Sequence, residues 1–325
     1  MSLGNSLKYL SRALPESGRA FSLRTSFNQS LVKSLKYLLG ACDEVIPSHL
    51  FLKALQKLDS LNPESKLSGL LGIIHTDLFN AVERENIQRV NYIADRLIKD
   101  DFLIKNLIFI NFLDFSDYYS SLAKIIFAQE RIKNVKFLPL SAQKYNRAKI
   151  SIQNGLKILN STFPDFFVEF QELVGEIVIL QAQELKQGSS FEHFGMIYKS
   201  SLFRSEKITD ALDFLIHEQS HLYLFLLNKD NPIVLNSQEK HKSPLREEER
   251  PLIGVYHAVF VLARVYYVLK NALDLSLIPE NEKDYSKELL ADYKNRFNLG
   301  LEILQTHAKM TPLGEGLILS ASKLV

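Results

Sequence analysis

The sequence predicts a mostly α, multi-helix globular fold with few short strands, in which one buried helix, carrying an HExxH sequence, packs on a second core helix. Three observations carry this. Glycine and proline are sparse, 13 and 10 of 325 residues, so few positions interrupt a helix. Apolar residues recur at spacings of three and four along most of the chain, the period of a helix face. Two long segments, 210–227 and 251–269, are apolar nearly all round, as helices in the interior of a large fold are.

Along the chain, residues 1–30 are basic and Ser-rich, with Lys8, Arg12, Arg19 and Arg24 against Glu16. They lack the apolar centre of a secretory signal and read as a mobile basic arm, with an organelle transit peptide as the alternative. A helical N-terminal region, 31–188, follows. Asn28 to Ala41 places Leu31, Leu35, Leu38 and Leu39 on one stripe. Leu50 to Leu58 and Leu67 to Lys99 read as helices, the latter broken near Arg84-Glu85-Asn86. Leu107 to Leu113 fits a buried strand or a helix core equally, because a short apolar run has no diagnostic period. Ser116 to Gln129 is helical. Val135 to Pro139 is an edge strand or loop, since proline cannot donate to a ladder. Tyr145 to Leu159 and Asp165 to Leu180 are predicted helices. Lys186 to Ser190 is a turn cluster and marks the start of a helical metal-binding region, 189–325.

In that region Lys207 to Leu227 is a helix, with Thr209 or Ser205 as N-cap. Asn228 to Arg250 is a polar stretch without periodicity, read either as a long loop of the kind that covers a site or as a disordered surface loop. Pro251 opens the second core helix, a position where its missing N–H has no partner to lose. Ser286 to Lys309 is an amphipathic surface helix, and Leu317 to Val325 closes the chain.

Composition narrows the function classes. The net charge of +2 and the lack of basic runs interleaved with aromatics give no nucleic-acid signature. No apolar run reaches the length of a membrane span. A single cysteine, Cys42, excludes disulfide frameworks and thiolate clusters within one chain and fits a reducing, cytoplasmic setting. Oligomeric state has no signature. Any metal falls to His, Asp or Glu.

The motif that stands out is His217-Glu218-Gln219-Ser220-His221. Two histidines four apart project from one helix face and hold one transition-metal ion in many sites; the plain alternative is a satisfied pair of half-buried imidazoles. A third ligand is required. One metalloprotease pattern puts a glycine three residues after the second histidine and a histidine three further on; Leu224 and Leu227 stand there. The second core helix offers His257 and no nearby Glu, so His257 is the expected third ligand. Three histidines support two chemistries. Zinc, with Glu218 as general base, hydrolyses peptides. Ferrous iron with a bidentate oxo-acid oxidises C–H bonds, and then a cation must pair with the acid's distal carboxylate, a task suited to arginine. Arg264, seven residues and about 10 Å beyond His257 on the same helix face, is the first choice. Arg250 and Arg246 are the others, and an internal ion pair of Arg264 with Asp213 or Asp274 is the alternative. A third class is a helical binding protein with a structural metal.

Ile216-His-Glu-Gln-Ser-His221 together with Arg250-Pro-Leu-Ile-Gly-Val-Tyr-His257 resembles the HExxH-motif peptide-modification proteins found beside ribosomal-peptide biosynthesis genes, in which an Arg-Pro-x-x-Gly-x-x-His segment follows the HExxH helix. The resemblance covers residues 205–270, about a fifth of the chain. It implies Fe(II) and 2-oxoglutarate as cofactors, His217, His221 and His257 as ligands, and hydroxylation of a side chain, often at the β-carbon, in a precursor peptide. Under it Glu218 ligates the metal or positions water.

Overall fold

A computed structural model describes residues 10–129, 135–202, 206–243 and 246–325. Among these residues the fold is mostly α, as the periodicity predicts: eleven α-helices, two 3-10 turns and eight short strands. The chain divides into two interleaved units, and not into the consecutive halves 31–188 and 189–325. One unit is Phe21–Tyr145 with Gln171–Phe203; the other is Met1–Ala20, Asn146–Phe170 and Arg204–Val325. Strand pairing and helix packing between sequence-distant segments set this division, and composition along the chain does not record it.

The first unit holds most of α1 (Arg19–Gly40), then α2 (Ser48–Asp59), β1 (Lys66–Leu67), α3 (Gly69–Glu83), α4 (Ile87–Lys99), β2 (Leu103–Ile104), β3 (Ile108–Asn111) and α5 (Asp117–Gln129). The break expected near residue 85 is there. Glu85 takes a positive φ of 51°, and the Asn86 side chain accepts from Arg89 N at 3.0 Å, capping α4. Residues 107–113, open between strand and helix, form β3 and a 3-10 turn, Phe112–Asp114.

Two corrections concern the sheet. Residues 176–180, read as the end of a helix, form β4 (Glu176–Leu180), and the turn cluster 186–190 holds β5 (Gln187–Ser189), which pairs antiparallel with β6 (Met196–Ser200). The sheet order is β3-β4-β6-β5, and β3/β4 and β4/β6 are parallel. Every residue of β4 and β6 is buried. A strand covered on both faces shows no polar alternation, so its apolar run imitates a buried helix. Leu35, Leu71, Ile74, Ile93, Phe127 and Val178 share the core packed on the sheet.

At the start of β4 the buried Glu176 carboxylate accepts from Ser68 Oγ at 2.7 Å and from Gly69 N at 2.8 Å, at the first turn of α3. Burial pushes its carboxyl up to about 7, against those two hydrogen bonds. Between the ordinary carboxylate value and that point the folded chain binds the extra proton, so stability present at low pH is lost as pH rises toward 7. The expected loss is on the order of 3 kcal/mol. Urea midpoints at pH 5 and pH 8 check this: the wild type should lose more than Glu176→Gln, and equal losses would refute it.

The arm expected over 1–30 is folded from residue 10 onward; 1–9 lie outside the described residues. Arg24 is buried in the first unit and donates to Ser65 O, Glu64 O and Glu172 Oε2. Arg19 is buried in the second unit and donates to Arg12 O and Leu14 O. These arginines satisfy backbone carbonyls inside the fold, which a charge count reads as a solvated tail.

The second unit is built on most of α6 (Ala142–Thr162) and α7 (Pro164–Leu173), with α8 (Ile208–Asp230), the hairpin β7 (Lys240–Ser243)/β8 (Arg246–Pro251), α9 (Leu252–Asp274), α10 (Lys283–His307) and α11 (Pro312–Ser322). Helix α9 packs against α8, α10 and α11. By length and composition it is apolar enough to cross a membrane, although His257 and Arg264 interrupt its apolar run; 78% of its most apolar window is buried inside the fold. The N-terminus of α8 is capped from a distance: Glu282 accepts from Ile208 N at 3.2 Å and Thr209 N at 3.0 Å. Thr209 therefore lies inside the helix, and the other expected cap, Ser205, is outside the described residues. Residues 228–250 are not one loop. α8 runs on to Asp230, and the β7/β8 hairpin pairs His241 with Arg250 before entering α9. Pro251 is extended, φ −52° and ψ 142°, and sits just before the helix, not at its first position.

Candidate metal centre

Helix α8 carries His217 and His221 one turn apart, with ring centroids 5.0 Å apart and planes at 62°. Helix α9 brings His257 against His221. Its ring centre is 5.4 Å from that of His221, with planes at 22°, and the two Nδ1 atoms are 3.2 Å apart. Phe225, one turn after His221, lies 5.3 Å from the His257 ring and closes that side with an apolar wall.

The surroundings act differently on each histidine. His257 is 8% exposed, and burial, with the neighbouring Arg250 cation second, pushes it down to about 4. His257 is thus a neutral imidazole at neutral pH. His217 is half-buried, and its Nδ1 lies 4.0 Å from Asp213 Oδ1, one turn earlier on α8. Asp213 takes a hydrogen bond from Tyr293 of α10, whose hydroxyl burial holds well above the usual tyrosine range. At 4.0 Å the carboxylate is longer than a hydrogen bond from the ring and acts on His217 as a nearby negative charge.

Two nitrogens bound side by side to one ion at about 2.1 Å stand roughly 3.0 to 3.4 Å apart, depending on the angle. The His221–His257 separation falls in that span. The same 3.2 Å is also a hydrogen bond, one Nδ1–H donating to the other ring. Among the described residues, no three or more His, Cys, Asp or Glu side chains converge into a metal-binding group. His221 thus lies next to both other histidines, with ligand-like nitrogen spacing shown for the His221–His257 pair. The donor set itself, three imidazoles without thiolate, suits iron or zinc.

Glu218 is on α8 beside His217 and is 1% exposed. Arg250, half-buried, lies over the first turn of α9: a Cβ built on Gly254 would stand 3.4 Å from its Nε and 3.5 Å from its Cζ. The Arg250 charge also acts on His257, whose protonation it opposes. Arg246 begins β8, and its side chain lies outside the described residues. Arg264, the first choice for the oxo-acid, is fully buried and paired with Glu169 of α7. The internal ion pair, the alternative for this arginine, is therefore present, but its partner is neither Asp213 nor Asp274. Spacing within α9 cannot show a carboxylate supplied by α7. Sequence reasoning does not single out Glu169, although it leaves a signal: it falls among Phe166, Phe170 and Leu173, an acid on an otherwise apolar stripe.

These features define a helical protein with a histidine-rich candidate metal centre between two core helices. The chain matches no family model, and no curated protein matches it.

Proposed function

We propose that this protein is an Fe(II)/2-oxoglutarate-dependent enzyme that hydroxylates a side chain, at the β-carbon, in a ribosomally made peptide. The observation that carries the reading is the approach of His221 and His257, from two helices, to 3.2 Å between nitrogens, with His217 one turn away. The resemblance of 216–221 and 250–257 to the HExxH peptide-modification proteins supports the choice of chemistry. Iron with 2-oxoglutarate supplies a two-electron oxidation: C–H, dioxygen and the oxo-acid become C–OH, succinate and carbon dioxide.

The chain's own residues have distinct tasks. His217, His221 and His257 hold the metal. Asp213, 4.0 Å from His217 Nδ1, places a negative charge beside that ring. Arg250 pairs with the distal carboxylate of the oxo-acid, in place of the sequestered Arg264, because a guanidinium presents a fork that fits a carboxylate. Phe225 excludes water from one side of the imidazoles.

An anaerobic titration tests this. Metal-free protein given Fe(II) and then 2-oxoglutarate should develop the weak visible charge-transfer band of a chelated oxo-acid, and His217→Ala should lose it. Arg250→Ala should weaken 2-oxoglutarate binding at least about tenfold, as expected for a charge-assisted pair; an unchanged affinity removes Arg250 from this role. Absence of the band in a protein that holds zinc and cleaves peptides would replace the oxygenase with the hydrolase, with Glu218 as base. Zinc without turnover would leave a structural site.

A further inference from the structure

Behind the histidines, on the opposite side of α8, lies a polar cluster with no exposed member. Gln219 stands two residues from each motif histidine and is 0% exposed, as is Arg264, while Glu169 is 3% exposed. Gln219 Nε2 donates to Glu169 Oε1 at 2.8 Å and to Phe166 O at 3.0 Å. Arg264 Nη2 donates to the same Oε1. One carboxylate oxygen on α7 therefore joins the helix of His217 and His221 to the helix of His257.

A buried ion pair is by itself a weak source of stability. Arg264 Nε and Nη1 and Gln219 Oε1 are buried without a hydrogen-bond partner among the described residues. A buried ion pair with orphaned donors is replaceable by apolar side chains of similar volume with little loss, and often with a gain. What apolar side chains do not supply is a directional tie that fixes α8 against α9. A sub-ångström slide between these helices is enough to spoil a 3.2 Å pairing of nitrogens.

We propose that Glu169, with Gln219 and Arg264, is a positioning residue that sets the register of α8 against α9 and through it the spacing of His221 and His257. The inference rests on the metal reading above. The test uses the full chain and Co(II) as the probe, read by its visible ligand-field absorption. Wild type should bind Co(II), and His221→Ala should not; if wild type binds none, the metal reading itself falls. The apolar triple variant Glu169→Leu/Gln219→Leu/Arg264→Met should keep or raise the melting temperature, yet bind Co(II) at least tenfold more weakly and with an altered band shape. Wild-type affinity and band shape in the folded triple variant would overturn the positioning role. Should the triple variant not fold, Gln219→Met, which leaves the ion pair in place, is read the same way: a threefold or greater weakening is expected, and an unchanged Co(II) affinity overturns the proposal.

Discussion

His257→Ala is expected to abolish divalent-metal binding nearly as completely as His221→Ala. Three imidazoles from two helices hold an ion far better than two from one, because each nitrogen adds a bond whose position the fold has already fixed. With His257 gone, His221 loses the nitrogen 3.2 Å away, and only the i, i+4 pair of α8 remains. Affinity should drop at least about a hundredfold, close to 3 kcal/mol. His257 is 8% exposed, so its truncation also leaves a small void beside Phe225. Circular dichroism of the variant must therefore accompany metal analysis. Stoichiometric metal in a folded His257→Ala protein would remove α9 from the site and leave the HExxH helix to bind with some other group.

The parts of this site that sequence exposes are those set by local spacing. His217 and His221 are four apart on a helix, and His257 interrupts an otherwise apolar segment, so all three stand out from the residues alone. Helices α2, α3 and α4 are legible for the same reason, as is the break at Glu85, where the chain takes a left-handed turn before Asn86 caps the next helix. What sequence hides depends on partners far along the chain. β4 and β6 are buried at every position and pair directly with each other, although β5 lies between them in sequence, so neither alternates. The β7/β8 hairpin is written in charged residues, Lys-His-Lys-Ser and Arg-Glu-Glu-Glu-Arg-Pro, which carry no apolar period. Arg264 is conspicuous in an apolar helix, but its carboxylate lies 95 residues earlier, and only packing reveals it.

That pair gives the other large expected effect. Arg264→Ala should cost about 3 to 5 kcal/mol of folding stability, the range found when one partner of a buried ion pair is removed. The loss arises from two sources. Glu169, 3% exposed, keeps the Gln219 amide beside its charge but loses the balancing cation. The guanidinium also fills space between Phe166, Tyr223 and Phe260, with its carbon 4.9, 5.6 and 5.5 Å from their ring centres, contacts that alanine does not replace. A second variant separates the two. Arg264→Met restores volume but not charge, so it should recover only the packing share. Adding Glu169→Leu to Arg264→Met removes the stranded carboxylate and should return stability to within about 1 kcal/mol of wild type. Guanidinium unfolding of the three proteins supplies the comparison. Near-equal losses in Arg264→Met and in the double variant would mean that the pair contributes net stability of its own, and the orphaned Nε and Nη1 would then need partners that the described residues do not provide.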